Sequence, residues 1–511
     1  MFHNTSSLRA DARLRAPSLP LQHALTALIL IAAALVQARG GLNLDVSWFI
    51  TFAERVYSGA IAYIDVSDPN PPASIMIYVP AIALSQWTGL KIEALVVAMT
   101  LLMATAAARS TSAYDPTASR WTYLATLVGL TIAPGAMFAE REHYAAIAAI
   151  PATSAMLAAA NGQQLTRHLR MIAGGYAALI VAFKPHFAAG LAIPAIYATI
   201  RRRSLAWISP AEFLSCLILL AAYVGASYIA YPAYFTDALP EAIRLYSAAH
   251  ASIEMGVTSE AMWFGAAISL SALFVAFSTT LSRVATGAAL SAFGFMIAGL
   301  AQQKYQINHA SAAVALATIP LIEASLCGRI SNIVAKAMIL TEIVLAPLVM
   351  RAHCSLAQTA GEPAMVEAIK TLLPPNGRLA AISDNIETMF PAARNTGATW
   401  VYHYNSMYRS GTARWLRDHQ TGVVPVDYLN QVIADDRAVL VQDIVLYQPD
   451  VLIIDNAEIR AREFAVPAIA AAMANYEMAR TVTTATTGEA ELWVRKIDSR
   501  QRSGLAQLAM N

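Results

Sequence analysis

The sequence predicts a polytopic α-helical membrane protein with about eleven transmembrane helices and a C-terminal soluble α/β domain. Three observations predict it. The 511 residues are 57% apolar and only 13% charged, against about 25% charged in soluble domains. Apolar runs able to cross a hydrocarbon layer recur between residues 22 and 350. Beyond residue 350 charge returns and no run is long enough to span. The chain therefore divides into a membrane domain, 1–350, and a soluble domain, 351–511.

A spanning helix needs roughly 20 apolar residues, with about 17 as a lower limit. On that measure the spans fall near 22–38, 92–108, 121–138, 144–160, 172–183, 187–200, 211–230, 261–281, 284–302, 310–326 and 333–350. The first follows Arg9, Arg13 and Arg15, as a secretory signal cleaved after Ala38 would. An uncleaved span fits better, because many more spans follow. The pair 172–183 and 187–200 is short and split by Lys184-Pro185, which predicts helices that stop or kink near the bilayer surface. Ser74 to Trp87 starts after Pro69, Pro71 and Pro72 and ends before Thr88-Gly89, so it reads as a juxtamembrane or re-entrant helix.

Basic residues orient the chain, since short cytoplasmic loops collect Lys and Arg. With the first helix running outward, the cytoplasmic side receives thirteen of the basic residues before Met350 and the other side seven. The extracytoplasmic loops are then 39–73, 139–143, 184–186, 231–260 and 303–309. A formal net charge of +2 and scattered arginines argue against nucleic acid as a partner. Cys216, Cys327 and Cys354 are too widely separated to imply a disulfide framework or a zinc site.

In the soluble domain, Arg378–Ser383 and Asp450–Ile454 read as buried strands and Glu489–Arg495 as an alternating one. Val426–Leu446 and Ala457–Ala474 read as mainly helical. Alternating helices and strands predict a small α/β layer.

Four clusters carry candidate chemistry. Asp45, with Glu54 and Asp65 after it, follows the first span, where an ionised carboxylate stays only if paired, hydrated or used. Glu54 beside Arg55 reads as surface pairing, and Asp45 competes with a helix-capping role. Glu140-Arg141-Glu142-His143 lies between two spans, Lys184-Pro185-His186 at the helix break, and Lys304 with His309 beyond the span ending near 302. Solvated loops and packed histidines are the bland alternatives. Cations near carboxylates suit transfer from a phosphate leaving group: a base takes the acceptor proton, and donors hold the charge developing on phosphate. A divalent cation could supplement those donors. In the soluble domain Asp384, His403, Tyr404, Arg409 and Trp415 could line a carbohydrate surface, but packing or a solvated loop explains each more simply.

At these residues the chain resembles the GT-C superfamily of membrane glycosyltransferases, which includes protein O-mannosyltransferases and bacterial aminoarabinose transferases. The resemblance is carried by Asp45, by the loop Tyr63-Ile64-Asp65 … Asn70-Pro71-Pro72 … Tyr78, by Glu140-Arg141-Glu142-His143 and by Lys304 to His309. It covers roughly residues 20–350. It implies a polyprenyl-phosphate-linked sugar donor, a glycan or lipid acceptor, a periplasmic active site in the bacterial inner membrane, and inverting displacement. Asp45 would be the general base and Glu140 or Glu142 the second acidic position. Asp65, Arg141, His143, Lys184, His186, Lys304 and His309 would contact substrate. The short first span and the C-terminal domain depart from the aminoarabinose and O-mannosyl patterns. A lipid-linked-sugar flippase, or a ligase or polymerase using the same carrier lipids, is the rival reading; a flippase predicts charges at helix centres.

Overall fold

The computed structural model describes residues 17–251, 253–352, 362–419, 422–484 and 488–496. Arg9, Arg13, Arg15 and Cys354 lie outside them. The chain forms two compact units: Met1–Leu42, Asn70–Leu239 and His250–Cys354 make one, and Asn43–Pro69, Pro240–Ala249 and Ser355–Asn511 the other. The α/β unit is therefore more than a domain appended at residue 351. It takes in the stretch after the first span, with Asp45, Glu54 and Asp65.

The membrane unit has helices at all eleven expected positions: Leu19–Gly40, Ile92–Tyr114, Arg120–Thr131, Arg141–Ala160, Arg167–Phe183, Ala189–Arg202, Pro210–Ala230, Glu260–Ser278, Arg283–Ala301, Asn308–Leu326 and Ile333–Ala352. Among the described residues, eight helices are long and apolar enough to cross a membrane. Arg120–Thr131 and Ala189–Arg202 fall short, at 12 and 14 residues, and Arg167–Phe183, at 17, sits at the lower limit. The expected 121–138 span stops early because Pro134 brings no N–H and Gly135 takes φ +56°. A short 3-10 turn, Gly135–Met137, follows.

The break at Lys184-Pro185 is where the sequence puts it, with a 3-10 turn, Pro185–Ala188, between two helices. The re-entrant segment is two short helices, Pro72–Met76 and Val79–Thr88. At 5 and 10 residues neither is long enough to span. Helices Arg141–Ala160 and Asn308–Leu326 are almost wholly buried, whereas Leu19–Gly40 and Pro210–Ala230 expose most of their apolar surface. Small residues let the inner helices close up. A Cβ on Gly299 would meet the carbonyl oxygen of His309 at 2.6 Å, so glycine there holds Arg283–Ala301 against the start of the next helix.

The second unit is built on a five-stranded sheet of order β2-β1-β3-β5-β4. Its strands are β1 (Arg378–Ile382), β2 (Thr399–Trp400), β3 (Val451–Ile454), β4 (Tyr476–Thr484) and β5 (Gly488–Arg495). β1 pairs in parallel with β2 and β3, with Leu379 opposite Val451 and Ile382 opposite Ile454. β5 runs antiparallel to β3 and β4. β1 is buried from Leu379 on and β3 throughout, as parallel strands covered on both faces should be.

Helix Leu44–Tyr57 belongs to this unit. Trp48 packs edge-on against Phe390 with ring centroids 5.5 Å apart. Arg55 donates to the carbonyls of Tyr402 (2.7 Å) and Asp65 (2.8 Å), and Ser67 N–H donates to His403 O. Glu54 pairs with Arg394, not with its neighbour Arg55, so the pairing expected from adjacency is replaced by one from 340 residues away.

Candidate functional site

In the membrane unit three of the predicted clusters come together. Glu140 occupies the N-cap position of Arg141–Ala160, which places Arg141, Glu142 and His143 in that helix's first turn. The reading of 139–143 as a solvated loop fails, because Glu140, Arg141, Glu142 and His143 are all at most 4% exposed. Lys184, at the helix break, donates from Nζ to Glu142 Oε1 at 2.9 Å. Arg141 Nε lies 3.3 Å from the same oxygen. His186 and His309 each feel the charges of Lys184, Glu142, Arg141 and Lys304. Lys304 lies in the turn before Asn308–Leu326, a turn made possible by positive φ at Gln303 and Tyr305.

The re-entrant segment braces this cluster. Tyr78 donates its hydroxyl proton to Ala139 O at 2.7 Å, and Ser74 donates to Phe183 O at 2.9 Å, next to Lys184. Ser74 was not singled out from the sequence. Its only signal was its place in the Pro-rich stretch that begins the segment.

Charge balance defines what the cluster can hold. Arg141, Lys184 and Lys304 face two carboxylates, Glu140 and Glu142, so with Lys304 protonated the set carries one excess positive charge. Burial, and then the charge of Lys184, push Lys304 down to about 6. Burial, and then Lys184, push His186 down to about 4. His186 Nε2, Asn308 Oδ1 and His309 Nδ1 are buried with no hydrogen-bond partner among the described residues. Buried polar atoms without partners cost free energy, so such atoms beside excess positive charge fit an anion with hydrogen-bonding groups.

The remaining predicted residues separate by role. His143 has both ring nitrogens engaged: Nδ1 accepts from Ala139 N–H at 3.0 Å and Nε2 lies 2.6 Å from Leu130 O. These partners place its proton on Nε2 and make it a brace for the turn. Asp45 lies in the first turn of Leu44–Tyr57, in the α/β unit. The N-cap there is Asn43, whose side chain accepts from Val46 N–H at 2.9 Å, so capping does not account for Asp45. Asp65 accepts from Ile61 N–H at 2.7 Å, closing its own turn. Asp68, one of the acids on the extracytoplasmic side in the sequence but not a predicted site residue, is the buried acid of this segment, at 3% exposure.

The candidates of the C-terminal stretch are committed to packing. Asp384 pairs with Arg414 and Arg462. Arg409 grips Glu241 through Nε (2.7 Å) and Nη2 (2.5 Å) and lies over the ring of Tyr404. His403 donates its backbone N–H to Asp443, and Trp415 stacks on His419. Among the described residues no group of three or more His, Cys, Asp and Glu side chains is placed to hold a metal ion.

A multi-span helical unit together with an α/β unit is the fold class that the sequence predicts. The solved structure of ArnT from Cupriavidus metallidurans bound to undecaprenyl phosphate has this fold: it superposes with a TM-score of 0.53 over 94% of this chain and 99% of its own, at 12% identity. No protein-family model matches the sequence, and no curated protein does.

Proposed function

We propose that this protein is a glycosyltransferase that moves a sugar from a polyprenyl-phosphate-linked donor to an extracytoplasmic glycan or lipid, with inversion. The observation that carries the reading is the buried cluster of Arg141, Lys184 and Lys304 with His186, Asn308 and His309 atoms that lack hydrogen-bond partners among the described residues, in a fold shared with a protein solved bound to undecaprenyl phosphate. With Lys304 protonated on binding, the one excess positive charge complements the single negative charge of a phosphodiester donor.

In the reaction the acceptor oxygen attacks the anomeric carbon as its proton passes to Asp45. The bond from that carbon to the phosphate oxygen breaks, and the electron pair stays on the phosphate. Arg141, Lys184 and Lys304 would offset the charge that develops there, the role electrostatic donors play in such displacements. Glu142 fixes Lys184 and Arg141 in place. Glu140 remains the second candidate acid. The proposed setting is the bacterial inner membrane with the α/β unit in the periplasm, as the basic-residue asymmetry supports.

Transfer from radiolabelled polyprenyl-phosphate sugars to endogenous acceptors in membranes with and without the protein tests the reading. Labelled product that depends on the protein is expected. Donor moved across the bilayer with no glycosidic bond formed would replace the transferase by a flippase. Cysteines placed near Asp65 and Asp384 should react with impermeant reagent outside intact cells while one at Arg202 is protected; the reverse pattern would invert the topology.

A further inference from the structure

We propose that Asp68 is a positioning residue for this reaction, fixing through the indole of Trp48 the helical turn that carries Asp45. The inference rests on the reading of Asp45 as general base and deepens it.

Every residue involved belongs to the α/β unit. A carboxylate shut away from water is costly unless it is hydrogen-bonded. Asp68 is 3% exposed, and its Oδ2 accepts the Trp48 Nε1–H at 2.7 Å, a charge-assisted bond of the stronger kind. Trp48 is fully buried, and Phe52 and Phe390 hold its ring edge-on at centroid distances of 6.0 and 5.5 Å. The indole therefore has one orientation, and Asp68 sets it.

Asp45 lies three residues before Trp48 in the same helix, less than one turn of about 3.6 residues. Any slide or rotation of the Trp48 turn moves Asp45 with it. Asn43 caps the helix and orders its backbone, but a cap does not stop the helix rolling. A general base is sensitive to such movement, since a displacement of about 1 Å can cost on the order of 10²-fold in rate. The sequence places Asp68 twenty residues beyond Trp48, in a Pro-rich turn where an acid invites a surface reading. Its burial against Trp48 is what assigns it this different work. Its Oδ2 is held by the indole, so the proposal has it act through Trp48.

The test uses the full chain in lipid nanodiscs and three measurements: turnover with labelled polyprenyl-phosphate sugar, donor affinity, and backbone hydrogen exchange over residues 44–57. Asp68→Ala should lower turnover by about 10–10²-fold, leave donor affinity unchanged and raise exchange across 44–57. Asp68→Asn, whose amide oxygen can still accept from the indole, should restore most of the turnover. In an Asp45→Asn background Asp68→Ala should add no further loss, because the group it positions is gone. If Asp68→Ala does not accumulate as folded protein, Trp48→Phe keeps an aromatic ring without the N–H and should give the same pattern. Unchanged exchange over 44–57, or a loss just as large in the Asp45→Asn background, would overturn the proposal. Wild-type turnover in Asp45→Asn alone would refute the base assignment, and it is read separately from the exchange measurement, which decides whether Asp68 holds the turn.

Discussion

The two units bury ionisable groups in opposite ways. In the α/β unit these buried charges are spent on the protein itself: Asp436 accepts from Tyr402 Oη and from Ser410 N and Oγ, Glu463 is gripped by Arg437 and Arg462, and Arg409 is paired with Glu241. In the membrane unit the cluster around Lys184 leaves three polar atoms of His186, Asn308 and His309 without hydrogen-bond partners among the described residues. Both arrangements are buried, so burial alone does not mark a site. Unfinished hydrogen bonding beside surplus charge does; Arg414 Nη1 and Arg462 Nη2 of the α/β unit also lack a hydrogen bond, but each faces a carboxylate, of Glu463 and Asp384, that neutralises it.

The comparison breaks first at Asp45, which belongs to the unit of completed networks yet is assigned catalysis. Asp45→Asn should lower transfer by about 10²–10⁴-fold, the usual contribution of a general base. Because Asn43 is the cap, folding and expression should be unaffected. Turnover close to that of the wild type in a well-folded protein would move the base search to Asp65 and then Glu140.

Asp436→Ala probes the structural side. It strands the Tyr402 hydroxyl and the Ser410 donors in a buried setting, and at about 1–3 kcal/mol per stranded group the loss should reach roughly 3 kcal/mol of stability. Thermal unfolding of the purified protein should show it, with donor affinity unchanged in the folded fraction. A drop in donor affinity as large as the stability loss would erase the distinction between the two units.

Much of this was legible in the sequence, and what was not has a common cause. Spans show because a helix crossing lipid must be apolar over its length, and the Lys184-Pro185 break shows because proline cannot continue the helix before it. The three charged segments of the membrane unit are local runs, so reading along the chain finds them, although not their burial. Pairings across long separations are invisible: Glu54 finds Arg394, Arg409 finds Glu241, and the segment 43–69 folds into a unit otherwise built mostly beyond residue 355. β4 escaped notice because it is an edge strand with its middle residues exposed, and β2 because two residues carry no period.

Lys304→Met sharpens the contrast from the membrane side. If Lys304 contacts the donor phosphate, the lost charge-assisted bond is worth about 1.5–3 kcal/mol, or roughly 10–150-fold in donor affinity. Stability should hold or rise, since replacing a buried charge by an apolar side chain is often neutral or favourable. Titration of the variant with polyprenyl-phosphate sugar, alongside its thermal midpoint, reads both. Unchanged affinity and turnover would remove Lys304 from the site.

The same residue gives the donor site a pH dependence of definite sign. In the free protein Lys304 is pushed down to about 6 by burial and by the charge of Lys184, so near neutrality it is mostly uncharged. A bound phosphate favours the ammonium form and raises that value. Between the free and bound values, binding must then take up a proton, and affinity falls as pH rises, by at most about tenfold per unit for one proton. Below 6 the dependence should flatten, because Lys304 is already charged. His186, pushed down to about 4, is neutral in the free protein across this window. Calorimetric titrations near pH 7.5 in two buffers of different ionisation heat should differ by the heat of the proton taken up, and Lys304→Met should abolish the difference. Identical heats for the wild type would mean that Lys304 does not change its charge on binding, and with Lys304 neutral the charges of Arg141 and Lys184 would only balance those of Glu140 and Glu142.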